Sequence, residues 1–103
     1  MARIYIAGKM SGLSDDEIHN NFDLAATRLR AEGWEVYNPA DVMAAYAEPG
    51  YTYDIILLED MEQLRRSDAV YMLWNWQQSP GAKAEHATAR AMGKTVFYQE
   101  GEQ

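Results

Sequence analysis

Apolar residues follow two rhythms along this chain, short β-rich runs and helical stripes. Arg3 to Ala7 is a short strand-like run stopped by Gly8. A glycine-containing loop follows, from Gly8 to Leu13. Ser14-Asp15-Asp16-Glu17 has the spacing of a capping box, with Ser14 at the N-cap and Glu17 three residues on. Ile18, Phe22, Ala25 and Leu29 then recur at i, i+4, i+7 and i+11, one apolar stripe of a helix that Gly33 ends. Trp34 to Tyr37 reads as a second strand, closed by Asn38-Pro39. A short helix is expected over Ala40 to Ala47, then a loop through Pro49-Gly50. The next helix is expected over Asp54 to Arg66, with Leu57, Leu58, Met61 and Leu64 apolar. Ala69 to Leu73 is a continuous apolar run, typical of a strand covered on both faces. Trp74 to Gly81 is a loop rich in aromatic and amide side chains. Ser79-Pro80 has the form of an N-cap followed by proline at N1, and its helix runs to Met92 before Gly93. Thr95 to Tyr98 is the last strand.

Strands alternating with helices in the order β-α-β-α-α-β-α-β favour a parallel sheet with helices on both faces. Right-handed crossovers narrow the topologies. The expectation is a single α/β domain over residues 1–103. It is a flavodoxin-like or Rossmann-like three-layer sandwich on a four- to five-stranded parallel sheet of order 2-1-3-4. Ligands in such sheets sit beyond the carboxyl ends of the strands, at the switch point. That gathers Gly8 to Leu13, Asn38 onward and Trp74 to Glu85 into one cleft, with the helix carrying Asp60 approaching from the side.

Composition narrows the partners. Hydrophobic residues make up 48% and charged residues 24%, ordinary for a globular domain. Lys plus Arg is 9 against 16 Asp plus Glu, a formal charge of −7. That balance argues against tracking a nucleic-acid polymer or an anionic membrane surface, both of which call for a basic face. It leaves room for one small anionic ligand held by a few donors. The absence of cysteine excludes disulfides, thiolate metal sites and a cysteine nucleophile. No apolar run approaches the ~20 residues of a membrane span, and the start is too short in apolar residues for a signal peptide. A cytoplasmic location is expected.

Two carboxylates carry the candidate chemistry. Glu85 shares a helical face with Ala82, Ala89 and Met92, an unusual setting for a charge near a helix start. The positive helix end weakly favours its ionised form, which suits a nucleophile or cation stabiliser. The plainer alternative is a solvated side chain paired with Lys83 or Arg90. Asp60 has Ile56, Leu57, Gln63 and Leu64 as helical neighbours. Buried there, it holds its proton and can donate it; exposed, it is an ordinary helix acid. One carboxylate that captures a developing oxocarbenium carbon and one that protonates the leaving group are what glycosidic cleavage requires. Around them, Gly8 and Gly12 permit close backbone approach, and Lys9 and Ser11 are donors for an anion. The first helix opens with three acids, so a phosphate belongs on the loop amides or at the Ser79-Pro80-Gly81 helix start; plain capping is the alternative for Ser79. Tyr5 is either a core tyrosine or one that points its hydroxyl at the cleft. Trp74 and Trp76 suit base stacking, but packing in the core or at a subunit interface is the simpler reading. His86 is turned about 100° from Glu85, and His19 falls on a solvated helix face. The two histidines lack a metal-ligand spacing, and neither a metal nor an organic cofactor is implied.

Three segments carry a resemblance: Tyr5-Ile6-Ala7-Gly8-Lys9-Met10-Ser11-Gly12, Asp60-Met61-Glu62-Gln63-Leu64-Arg65-Arg66-Ser67-Asp68-Ala69-Val70 and Ser79-Pro80-Gly81-Ala82-Lys83-Ala84-Glu85-His86. In this order the chain resembles the nucleoside 2-deoxyribosyltransferase superfamily from about Arg3 to Tyr98. The last segment, with Trp76 ahead of it, looks most like the short, uncharacterised bacterial and phage members. The resemblance implies that Glu85 is the nucleophile that attacks the anomeric carbon, that Asp60 protonates the departing base and that Tyr5 orients the nucleophile. Ser79 matches the serine of the branch that hydrolyses 2′-deoxynucleoside 5′-monophosphates, where transferases have an aspartate. That branch carries an arginine in the first loop; this chain has Ser11, with Lys9 as a nearby point charge.

The expected function is therefore N-glycosidic cleavage of a (deoxy)nucleoside 5′-monophosphate through a glutamyl-glycosyl intermediate. Glu85, Asp60 and Tyr5 are the expected catalytic residues. Gly8, Lys9, Met10, Ser11, Gly12, Asn38, Ser79 and Gly81 are expected to bind the substrate. A homo-oligomer is implied by the family habit. The alternatives are base exchange by a transferase and a nucleotide-binding or regulatory domain without turnover.

Overall fold

In the computed structural model, residues 2–100 are described, so the outermost ends of the expected 1–103 domain lie outside the described residues. Four strands, β1 (Arg3–Ala7), β2 (Glu35–Tyr37), β3 (Ala69–Met72) and β4 (Thr95–Tyr98), form one parallel sheet in the order β2-β1-β3-β4. The helices are α1 (Asp15–Ala31), α2 (Tyr53–Arg65) and α3 (Pro80–Ala91). The expected class and strand order hold, with four strands among the described residues.

Alternation along β1 divides the core. Ile4 and Ile6 face one side of the sheet with Ile18, Phe22, Ala26 and Leu29 of α1. Tyr5 and Ala7 face the other with Val70, Met72, Leu64 of α2, and Ala82 and Ala89 of α3. Every residue of the expected α1 stripe is buried. Burying each such large apolar side chain contributes roughly 1.5–3 kcal/mol. The capping box forms as expected: Glu17 N donates to Ser14 Oγ at 3.1 Å and Ser14 N donates to Glu17 Oε1 at 3.1 Å.

The chain departs from the expectation in several places. Residues 39–47 form two short 3-10 turns, Pro39–Val42 and Ala45–Ala47, rather than one helix; Asn38 caps the first and Pro49 follows closely. A further 3-10 turn, Trp76–Gln78, lies within the loop after β3. Leu58 is 70% exposed, and Leu64 is the one fully buried residue of α2. Met92 lies just past α3 and is exposed, so it does not continue the Glu85 face. No described helix is long and apolar enough to cross a membrane.

Candidate functional site

The β1–β2 connection covers one face of the sheet through α1, the β2–β3 connection crosses to the other through α2, and a cavity of about 620 Å³ opens at the strand ends there. Its lining comes from every expected segment. Gly8, Met10 and Ser11 follow β1, Pro39 follows β2, Ser79 to Ala82 open α3, and Tyr53, Ile56, Leu57 and Asp60 belong to α2. Tyr5 and Glu85 complete it, with Ile6 and Phe22 from the α1 side.

Glu85 is 6% exposed, which removes the solvated alternative. The Tyr5 hydroxyl donates to Glu85 Oε2, so Tyr5 is both a core residue and a cavity residue. Burial pushes the Glu85 carboxyl up to about 8, against the lowering from the Tyr5 hydrogen bond; the nearby Asp60 charge adds to the rise. This corrects the expectation of a carboxylate kept ionised by the helix end. The helix-end effect is worth at most ~2 kcal/mol and fades within a turn, whereas burial disfavours the charge outright. Tyr5 itself is raised well above the ordinary phenol range, chiefly by burial and then by Glu85.

Asp60 reaches the cavity from α2. Burial, helped by the charge of Glu59, lifts it to about 6. Its Oδ1 is buried with no hydrogen-bond partner among the described residues. A buried polar oxygen is normally satisfied, so this one is available to a ligand. The two acids thus differ in kind: one is held by a phenol, the other has a free oxygen.

The loops are held by groups the sequence did not single out. A Cβ on Gly8 would sit 2.6 Å from Leu73 Cδ1, so only glycine lets the loop cross the end of β3. Buried Asn75 accepts from Lys9 N at 3.1 Å, tying the loops after β1 and β3 together. A Cβ on Gly81 would approach the Tyr53 hydroxyl to 3.2 Å, so Tyr53 lies across the start of α3. Ser79 Oγ accepts from Ala82 N at 3.1 Å, so capping and lining are both its roles.

Lys9, Gly12 and Asn38, expected to bind substrate, do not line the cavity. Gly12 makes the turn of the loop at φ +83°. Both polar atoms of the Asn38 amide are occupied: Oδ1 accepts from Ala40 N at 3.1 Å and Nδ2 donates to Asp23 Oδ1 at 2.8 Å. Neither Trp74 nor Trp76 lines the cavity. Trp76 stacks on His86 at 4.2 Å, and His86 Nε2 lies 2.6 Å from the Tyr98 hydroxyl. His19 pairs with Asp23 on the exposed face of α1. No cluster of three or more potential metal ligands exists among the described residues.

Tyr37 is a further residue that sequence reasoning missed. It stacks on Tyr5 with ring centroids 5.5 Å apart and planes 9° from parallel. The signal was present in the repeated order charged, aliphatic, tyrosine in Arg3-Ile4-Tyr5 and Glu35-Val36-Tyr37, which parallel pairing sets side by side.

Comparison with protein-family models matches residues 2–98 to a domain of unknown function, DUF4406. The chain belongs to this family. The match spans all four strands and both acid-bearing helices, so the cavity lies wholly within the family's domain. Comparisons with curated proteins and with solved structures gave no match.

Proposed function

We propose that this chain cleaves the N-glycosidic bond of a (deoxy)nucleoside 5′-monophosphate. The observation that carries the reading is the pair of unlike carboxyls in one cavity, Glu85 held by Tyr5 and Asp60 with a free Oδ1. A volume of about 620 Å³ suits a nucleotide-sized ligand. In the proposed step a Glu85 oxygen attacks C1′ as the C1′–N bond breaks. The bonding pair leaves with the base, which takes the Asp60 proton. Water then attacks C1′, loses a proton to the Asp60 carboxylate and releases the sugar phosphate and Glu85. Between about pH 6 and 8 the pair holds one proton, mostly on the more deeply buried Glu85; the competent arrangement is the minor one, with Glu85 ionised and the proton on Asp60. Ser11, Ser79 and the Gly81 amide, the one early α3 amide not given to the Ser79 cap, are the donors for the 5′ end.

One observation favours a second reading. No Lys or Arg is among the described residues lining the cavity, so an uncharged nucleoside, with base exchange as its reaction, fits the 5′ end without a counter-ion. The test is a panel of ribo- and deoxynucleoside 5′-monophosphates and nucleosides, read by chromatography for free base, with and without an acceptor base. Base from monophosphates alone supports the first reading. Base exchange on nucleosides alone supports the second. Ligand binding without turnover, unchanged in Glu85→Gln, contradicts both and leaves a binding domain.

A further inference from the structure

We infer that Tyr37 is a positioning residue for the Tyr5–Glu85 pair, its ring fixing the plane of the Tyr5 phenol so that the hydroxyl meets the carboxyl. Its bearing on catalysis rests on the proposed role of Glu85; the positioning itself does not. Tyr5 projects from β1 toward α3, whose buried apolar side chains in this part of the core are the small Ala82 and Ala89. These make room for the ring but offer little surface to set its rotation. The flat partner is Tyr37, stacked from the neighbouring strand at the paired register position.

Tyr37 is in turn held. The Arg3 guanidinium lies 5.6 Å from its ring centroid, and Arg3 Nη2 donates to Gln63 Oε1 of α2 at 2.8 Å. Contacts therefore run from α2 through Arg3, Tyr37 and Tyr5 to Glu85 on α3. The groups facing this row are Tyr5 from β1 and Asp60 from α2 on Glu85, and Tyr46, Asp60 and Arg3 on Tyr37. Removing the Tyr37 ring frees Tyr5 to rotate and takes its hydroxyl off the Glu85 carboxylate, whose charged form that hydrogen bond favours.

The test needs no ligand. The Glu85 side-chain carboxyl carbon is followed by NMR across pH in ¹³C-glutamate-labelled protein, assigned by its loss in Glu85→Gln. Tyr37→Leu is expected to raise the Glu85 midpoint by about half a pH unit or more, because the freed Tyr5 hydroxyl no longer stabilises the carboxylate. Tyr37→Phe keeps the ring and is expected to leave the midpoint in place. Should Tyr37→Leu fail to fold, Tyr37→Met, which keeps bulk without a flat face, is read the same way. A folded variant without the ring whose Glu85 titrates as in the wild type, or lower, overturns the inference. So does a Tyr37→Phe variant that shifts as far as Tyr37→Leu. A failed base-release panel would remove the catalytic reading alone, and the titration would still decide whether Tyr37 positions the pair.

Discussion

The two walls of the cavity are built differently. The α3 wall is dense: Ala82, Glu85 and Ala89 are all buried, and the small alanines bring the helix close to β1 and β3. The α2 wall is loose. Leu64 is its one fully buried residue, while Tyr53, Ile55 and Leu58 are exposed. The acid on the dense wall is fixed by a hydrogen bond to β1, and the acid on the loose wall has a buried oxygen with no partner. On the proposed function the contrast amounts to a division of labour. A nucleophile gains from a held geometry, whereas an acid that must meet bases of different shape gains from a wall that gives. Local stability is carried by buried apolar contacts, and α2 has few of them.

Breaking the dense side should cost the most. Glu85→Gln should lower base release by about 10⁴-fold or more, and Asp60→Asn by about 10²- to 10⁴-fold. Equal losses would erase the distinction between nucleophile and acid. Next, Leu64→Ala should destabilise by about 2–5 kcal/mol, while Leu58→Ala on the same helix stays within about 0.5 kcal/mol, read by urea unfolding. Gly8→Ala should destabilise by about 1–3 kcal/mol through its clash with Leu73, with reduced turnover as the loop is pushed off β3.

Stability against pH separates the walls more finely. The folded Glu85 carboxyl, at about 8, keeps its proton well above its ordinary 4.5. The native state thus binds more protons than the unfolded chain between those values. Its contribution is complete below pH 4.5 and is lost as pH rises to about 8, at up to about 1.4 kcal/mol per pH unit. Glu85→Gln should flatten that slope. Asp60→Asn should flatten only the lower part, up to about pH 6. The two acids together imply a bell-shaped rate profile with limbs near 6 and 8. The smallest effect lies away from the cavity: Ser14→Ala should lower stability by about 1 kcal/mol without moving turnover.

Much of the dense wall was legible in the sequence, because its signals are local. The Ser79 cap and the Ala82-Glu85-Ala89 face depend only on spacing along one helix, as do the Ser14 cap and the stripe of α1. The loose wall was less so. Leu58 is as apolar as Leu64, and only the placement of α2 against the sheet decides which is buried. The turns at 39–47 follow from Asn38 capping and from the contact of that amide with Asp23, 15 positions away. The tie from Lys9 N to Asn75 spans 66 positions, and no spacing rule reveals it. The Tyr5–Tyr37 stack depends on strand register, which becomes readable only once β1 and β2 are set side by side.

The most direct test of Glu85 as the nucleophile is a rapid acid quench of wild-type protein turning over a cleaved nucleotide, followed by peptide mass spectrometry. The expected result is a sugar-phosphate adduct (or a sugar adduct, if nucleosides are the substrates) on the peptide containing Glu85, and none in Glu85→Gln. Base released at the wild-type rate by Glu85→Gln, with Glu85 unmodified in the wild type, would contradict it.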